Sequence, residues 1–385
     1  MENAMKRKYD IAAYIWPAYT GKEIRTRIFW PDGIGEWQTV RDSVIDYPEH
    51  NYQWDRKPLW GYQDEADPKV MEFQIEEATR HGVNVFIYDW YWYDGRPFLS
   101  PCLDEGFLKA ENRHKMQFYV MWANHDVNYG WNKPLADTIW DQPCNIWGGA
   151  VDRKQFEKIV DLMINKYFAE PNYYKIDGKP VFMLYDVTNF VVGLGGIDGA
   201  VDALNYFRQK TIEAGFSGLE VQLAFWSERM ANVSGFDGYR VMPMKEVIPA
   251  LGLDSMTNYQ FCHYIHMKND YPVILAAALR EWKRIDEEYN IPYYPHVSVG
   301  WDNNPRFNKF MPNVCRENTP ENIEKALRAA KEYVDTHGDI LKAPLITVNS
   351  WNEWTETSYL QPDNVFGYGY LEAIKKVFVD ELEEE

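Results

Sequence analysis

Short apolar runs rich in β-branched and aromatic residues recur along the whole chain, at residues 11–16, 84–92, 117–124, 180–186, 220–226, 256–261, 294–301 and 345–354. They are near-continuous rather than alternating, which is how parallel strands buried on both faces read. Helical patterns with clear punctuation lie between them. Asp67 is placed to cap a helix with Pro68 at its first position, and Gly82 stops it before the second strand. Thr319-Pro320 opens another, with Ile323, Leu327, Ala330 and Val334 on one stripe and Gly338 as its stop. Phe156, Val160, Met163 and Tyr167 mark a third helix, and Ile274, Ala278, Glu281 and Ile285 a weaker fourth.

Eight strands alternating with helices, and no Pro/Ser-rich linker, predict a single α/β domain over residues 1–385, a (β/α)₈ TIM barrel. A doubly wound sheet would place a Gly-rich turn after the first strand. Here Trp16-Pro17-Ala18-Tyr19 follows it and cannot cradle a phosphate. Gly193-x-Gly195-Gly196 follows the fourth strand and reads as a loop. Long connections, about residues 17–66 and 125–151, follow strands one and three. In a barrel such loops belong to the C-terminal face, where active sites sit.

Composition sharpens this picture at three points. Lys and Arg number 40 against 58 Asp and Glu, a net charge of −18 that argues against nucleic acid and against an anionic membrane surface. A local Lys22, Arg25 and Arg27 cluster is the one feature that could favour an anionic ligand. No run approaches the roughly 20 apolar residues of a membrane span, and the charged residues 1–8 are no signal segment, so the chain reads as cytoplasmic, or as periplasmic or secreted if a leader has been removed. Cys102, Cys144, Cys262 and Cys315 are widely spaced, and His263 with His266 lacks a third ligand at metal spacing. Neither a structural metal nor a cofactor is called for. The acidic tail, residues 381–385, reads as a solvated end.

The third point is aromatic content: 16 Trp, 27 Tyr and 19 Phe make 16% of the chain. Trp16, Trp90, Trp92, Trp122, Trp226, Trp301, Trp351 and Trp354 lie at or past strand C-termini. Trp30, Trp37, Trp54 and Trp60 lie in the first long loop, and Trp131, Trp140 and Trp147 in the second. Only Trp282 falls in a helix. Rings gathered at one face and interleaved with Asp, Asn and His suit a sugar, which offers C–H faces for stacking and hydroxyls for hydrogen bonds.

Ser350-Trp351-Asn352-Glu353-Trp354-Thr355-Glu356 leaves the eighth strand and carries the sharpest chemical signal. A turn there can bring both glutamates to one cleft, and glycosidic cleavage needs such a pair, one protonated and one ionised. Trp351 and Trp354 are placed to desolvate a carboxyl and raise its pKa. Other strand ends supply Asp89, Asn124, His125, Asp126, Asp186, Tyr259 and Asp302. No Gly-x-Ser-x-Gly elbow follows any strand.

Several segments in order resemble the WbsX-like proteins, relatives of glycoside hydrolase family 99. They are Ile11-Ala12-Ala13-Tyr14 with Trp16-Pro17, Gly35-Glu36-Trp37 with Trp60-Gly61-Tyr62, the block from His81 to Trp92, Trp122-Ala123-Asn124, and Trp351-Asn352-Glu353-Trp354-Thr355-Glu356 with Leu360-Gln361-Pro362. The resemblance implies a (β/α)₈ barrel acting on α-linked glycans, often within a chain. It implies that Glu353 is the base on the sugar's 2-hydroxyl and Glu356 the acid on the leaving oxygen, with net retention. Three positions depart from the family pattern. His125 replaces an acidic residue, Gln361 replaces a Glu, and Thr357-Ser358 replaces a small Gly-containing turn, changes that bear on the sugar more than on the chemistry.

The expectation is a retaining, endo-acting hydrolase of an α-linked oligo- or polysaccharide, with Glu353 and Glu356 catalytic. Tyr14, Trp16, Glu36, Trp37, Asp89, Tyr91, Trp92, Asn124, His125, Trp226, Tyr259, Trp301, Asp302, Asn352 and Trp354 are the expected sugar-binding residues. The alternatives are a glycosyltransferase of surface-polysaccharide assembly, for which neither an Asp-x-Asp motif nor a phosphate-cradling loop stands in the sequence, and a non-catalytic carbohydrate-binding barrel.

Overall fold

A computed structural model describes residues 8–43, 46–47, 52–141 and 144–381. Eight parallel strands form the centre: β1 (Asp10–Ile15), β2 (Val85–Tyr93), β3 (Gln117–Trp122), β4 (Lys179–Leu184), β5 (Glu220–Ala224), β6 (Ser255–Thr257), β7 (His296–Ser298) and β8 (Leu345–Asn349). Their spatial order is β6-β5-β4-β3-β2-β1-β8-β7. β1 sits between β2 and β8, with Ala12 opposite both Val85 and Thr347. The seam between β6 and β7 is bridged by Met256 and Tyr293, with Met256 N–H donating to Pro292 O (2.9 Å) and Tyr294 N–H to Met256 O (2.8 Å). The result is a (β/α)₈ TIM barrel.

Beside the short helix Trp37–Arg41 in the loop after β1, the helices are α1 (Pro68–Arg80), α2 (Arg153–Leu162), α3 (Val187–Gly193), α4 (Ile197–Glu213), α5 (Met244–Leu251), α6 (Tyr271–Glu288), α7 (Pro320–Thr336) and α8 (Gly369–Lys375). Irregular helical turns over Cys102–Gly106 and Phe107–Lys109 stand between β2 and β3. Punctuation acts as the sequence predicts. The Asp67 carboxylate accepts from Lys69 N–H (2.9 Å) and Gly82 turns the chain at φ +92°. On α6, buried Trp282 holds the core stripe, while the expected Glu281 is half-buried and paired with Arg284. Gly195 and Gly196, at φ +85° and +110°, form the loop between α3 and α4. Glu381 pairs with Arg328, and the rest of the acidic tail, residues 382–385, lies outside the described residues.

Three strands are shorter than their apolar runs. Past Thr257, Ser298 and Asn349 the chain carries amides and hydroxyls that bond to neighbouring strands and loops instead of extending the ladder. Asn258 Nδ2 donates to Phe225 O (2.6 Å), and Gln260 Nε2 to Asn349 Oδ1 (2.9 Å). The barrel interior is likewise polar and extensively hydrogen-bonded, unlike the aliphatic layers common in this fold. Thr257 and Thr347 hydroxyls meet at 2.7 Å, His296 bridges Thr347 and Ser298, and Tyr119 O–H donates to Gln222. This packed layer is the floor on which the C-terminal face is built.

Candidate active site

The glutamate turn forms where β8 ends. Asn352–Glu353 pairs antiparallel with Ser358–Tyr359, and a single 3₁₀ turn, Trp354–Glu356, closes the bend. Residues three apart eclipse on such a turn, so Glu353 and Glu356 project to the same side. Thr357 adopts φ +52°, unusual for a β-branched residue, and its hydroxyl both donates to Asp302 O (3.1 Å) and accepts from Trp54 Nε1–H (2.9 Å). The turn is fixed further by Glu353 N–H donating to Ser350 Oγ (2.8 Å) and by Asp302 N–H donating to Glu356 O (2.7 Å). Trp354 stacks on Tyr359 at 3.8 Å and points away from the carboxyls.

Both glutamates converge on Arg306, which leaves β7. Its Nη1 donates to Glu356 Oε1 (2.6 Å), its Nη2 to Glu353 Oε1 (2.7 Å) and its Nε to Glu36 Oε1 (3.2 Å). Trp16 Nε1–H donates to the other oxygen of Glu36. Tyr259 O–H lies 2.9 Å from Asp89 Oδ2 and 3.4 Å from Glu353 Oε2. Burial pushes Glu353 well above the usual carboxylate range, and the neighbouring Glu356 pushes it further. Glu356 is raised by burial against the opposing pull of Arg306. Burial also raises Asp89, against the Tyr259 hydrogen bond. The Arg306 guanidinium keeps its charge despite burial, because Glu36, Glu356 and Glu353 surround it. One cation among four carboxyls cannot balance them all, and Glu353, Glu356 and Asp89 are held toward their protonated forms.

Glu353, Glu356, Arg306, Asp89 and Tyr259 line a cleft of about 240 Å³ with Trp16, Tyr91, Met121, Ala123, His125, Trp131, Tyr185 and Trp226. Of the expected site residues, Glu353, Glu356, Trp16, Asp89, Tyr91, His125, Trp226 and Tyr259 come together here. The rest lie elsewhere, Trp92 because strand parity turns it to the other face from Tyr91. Trp92 faces outward beside Trp90 and donates to Gln155, Trp37 packs on Tyr19, and Trp354 lies behind the turn. Trp351, expected beside the carboxyls, packs outward on Phe86. Tyr14 is buried beneath the cleft with its edge on Tyr259 (4.8 Å). Glu36 stands behind Arg306. Asn124 ties the β3 and β4 loops through both backbone groups of Asp186. Trp301 and Asp302 line a second cavity of about 290 Å³ with Trp54 and Arg56. The Lys22, Arg25 and Arg27 cluster does not line the cleft: Lys22 meets Ala66 O and Glu105, Arg25 meets Glu23, and Arg27 meets Pro31 O.

A buried network behind the turn holds β1 to β8. Asn352 accepts from Trp16 N–H (2.8 Å) and donates to Trp16 O (2.9 Å) and Glu65 Oε2 (2.8 Å). Gln361, at the departure from the family pattern, donates to Glu65 Oε1 (3.1 Å) and accepts from Trp354 Nε1–H. Burial pushes Glu65 up to about 8, against hydrogen bonds from Gln74, Gln361 and Asn352. Its folded pKa exceeds the unfolded value, so its contribution is full at acid pH and declines as pH rises toward 8. Glu65→Gln is therefore expected to match wild type near pH 4 and to gain relative stability up to pH 8. Urea unfolding across that range checks this, and a gain greatest at acid pH would contradict it.

Sequence reasoning missed Arg306, Tyr185 and Glu65, and placed Trp131 only as a loop aromatic. Arg306 had one faint signal, its position after the Asn303-Asn304-Pro305 turn that follows the seventh strand. Among the described residues, the four cysteines are free and no group of three or more His, Cys, Asp or Glu stands ready to hold a metal ion. His263 packs against Trp226 and Tyr259 instead.

Comparison with known proteins places this geometry in a family. Two curated relatives from strains of Xanthomonas campestris pv. campestris, both described as uncharacterized protein WxcX, are 24% identical over 356 residues. That alignment covers 90% of this chain and 46% of theirs, so the chain spans about half the length of the curated relatives it matches. Among solved structures, the barrel is similar to the GH99 endo-alpha-mannosidase from Bacteroides thetaiotaomicron, at 13% identity and a TM-score of 0.56 over 97% of each chain. It is also similar to a glycoside hydrolase-like protein, at 16% identity and a TM-score of 0.58 over 96% of this chain and 94% of that one. At these identities the likeness establishes the (β/α)₈ barrel fold. The family described as Glycosyltransferase WbsX matches residues 11–374, from β1 to α8, and the chain belongs to that family.

Proposed function

We propose that this chain is a glycoside hydrolase, a single (β/α)₈ catalytic domain that cleaves an α-linked glycan with net retention through Glu353 and Glu356. One observation carries the reading: two carboxyls from one turn, both bound to one guanidinium, at the base of a cleft walled by Trp16, Tyr91, Trp131 and Trp226. In the first half-reaction the ionised form of Glu353, which burial disfavours and the Arg306 guanidinium favours, takes the proton of the sugar's 2-hydroxyl. O2 then bonds to C1 as the glycosidic C1–O bond breaks, and Glu356 gives its proton to the departing oxygen. In the second, Glu356 takes a proton from water, whose oxygen bonds to C1 as the C1–O2 bond breaks, and Glu353 returns its proton to O2. Tyr259 and Asp89 orient Glu353, and the rings stack on a neutral oligo- or polysaccharide.

The family's description favours a second reading, sugar transfer from a nucleotide donor. Two assays separate them: release of new reducing ends from a panel of α-linked glycans, and calorimetry with uridine and guanosine diphosphate sugars. Reducing ends of retained anomeric configuration, with no nucleotide-sugar binding, are expected. Tight nucleotide-sugar binding without cleavage would overturn the hydrolase, and so would glycan binding with neither activity.

A further inference from the structure

We propose that Arg306, anchored by Glu36, is the positioning residue of the glutamate pair: it fixes Glu353 and Glu356 side by side and sets how many protons they share. This rests on the hydrolase reading for its catalytic consequence but not for the clamp itself. Arg306 sits on the one-turn helix Asn304–Arg306, whose Asn304 N–H and side-chain amide both donate to Asp302 Oδ1 (3.0 and 2.7 Å). Its backbone is thereby held before its side chain is used. All three sides of the guanidinium are then engaged by carboxylates from loops after β1 and β8. A planar fork can do this, and the point charge of a lysine cannot.

Glu36 makes the clamp directional. It is fully buried and does not line the cleft, so its partner is Arg306 rather than substrate. Its own position is set tightly. Glu36 N–H donates to Ala18 O (2.9 Å), and Gly35 before it has φ +61°, with room for no Cβ because one would lie 1.9 Å from the same oxygen. Trp16, whose indole N–H binds Glu36, also faces the guanidinium at 6.0 Å. Among the described residues lining the cleft, Arg306 is the one arginine or lysine. The other titratable groups facing the pair are Asp89 and Tyr91 from β2, Tyr19 after β1, Tyr185 after β4, and Tyr259 with Cys262 after β6. None of them is cationic, and burial holds the nearby His125 below its ordinary value.

Two neutral substitutions should therefore move the pair in opposite directions. R306Q removes the sole balancing charge, so Glu353 and Glu356 should hold their protons to a pH about one unit or more higher. E36Q frees Arg306 for the pair alone, so they should ionise at a lower pH than in wild type. R306K keeps the charge without the fork, and should return the titration toward wild type while leaving kcat depressed.

The test is ¹³C NMR titration of the full chain carrying glutamate labelled at the carboxyl carbon, with the two signals assigned from E353Q and E356Q. Opposite displacements in R306Q and E36Q support the clamp; displacements of the same sign, or none, overturn it. If R306Q fails to fold, E36Q against R306K decides: a downward displacement in E36Q supports the clamp, and an unmoved pair refutes it. This readout needs no substrate, so a chain that cleaves no glycan can still pass it. Where cleavage is measured, the acid limb of kcat/KM should move with the NMR titration.

Discussion

Glu353→Gln is expected to abolish glycan cleavage, and Glu356→Gln to lower it by about 10²- to 10⁴-fold on natural substrates, with the barrel intact in both. The two should differ with leaving group. An aryl glycoside whose phenolate departs without protonation needs no acid in the first step, so Glu356→Gln should keep far more of its first-step rate there. Glu353→Gln should gain nothing, because the 2-hydroxyl still needs its base. Stability should not fall in step with activity. Both carboxyls are held above their unfolded values by burial, so their neutral amides avoid a cost that wild type bears at neutral pH. Steady-state rates beside thermal midpoints check this, and near-wild-type activity in both variants would refute the assignment.

Trp351→Ala and Trp226→Ala should part ways. Trp351 is fully buried on the outer face of the barrel, with its ring 5.3 Å from Phe86 and 6.0 Å from Trp60, and its indole N–H donates to Gln74 (2.8 Å). Truncation leaves a cavity and an unpaired amide, a loss of about 3–5 kcal/mol of unfolding free energy. Trp226 lines the cleft and meets Tyr185 at 4.8 Å. Its truncation should raise KM roughly fivefold, in keeping with about 1 kcal/mol for a ring contact, and should lower stability less. Urea unfolding with glycan-binding isotherms separates the two, and a Trp351→Ala chain as stable as wild type would contradict its assignment to the core.

That contrast marks how far the residues could be read alone. Continuous apolar runs such as residues 84–92 announce a buried strand but hide its parity, since both faces are apolar. Asp89 and Tyr91 could not be told from Trp90 and Trp92 until β2 was paired with β1 and β3. The one-sided crowd of tryptophans thus divides: Trp16, Trp131 and Trp226 line the cleft, Trp54 and Trp301 a second cavity, and Trp351 packs on the outer face of the barrel. Glu36 could be singled out by its motif, yet its partner Arg306 lies 270 residues away and has no local pattern.

What the sequence alone determined was local: the alternation of strands and helices, the caps at Asp67 and Thr319, and the glutamates three apart in a turn where a strand ends. Each depends on propensities and spacings within a few residues, which any reader of the chain can see. What only the tertiary structure decided was convergence: which rings face the cleft, that Arg306 joins both glutamates to Glu36, and that Glu65 ties β1 to β8. Those depend on closing a barrel that brings the loops after β1, β7 and β8 to one point, where burial and Coulomb forces act across hundreds of residues.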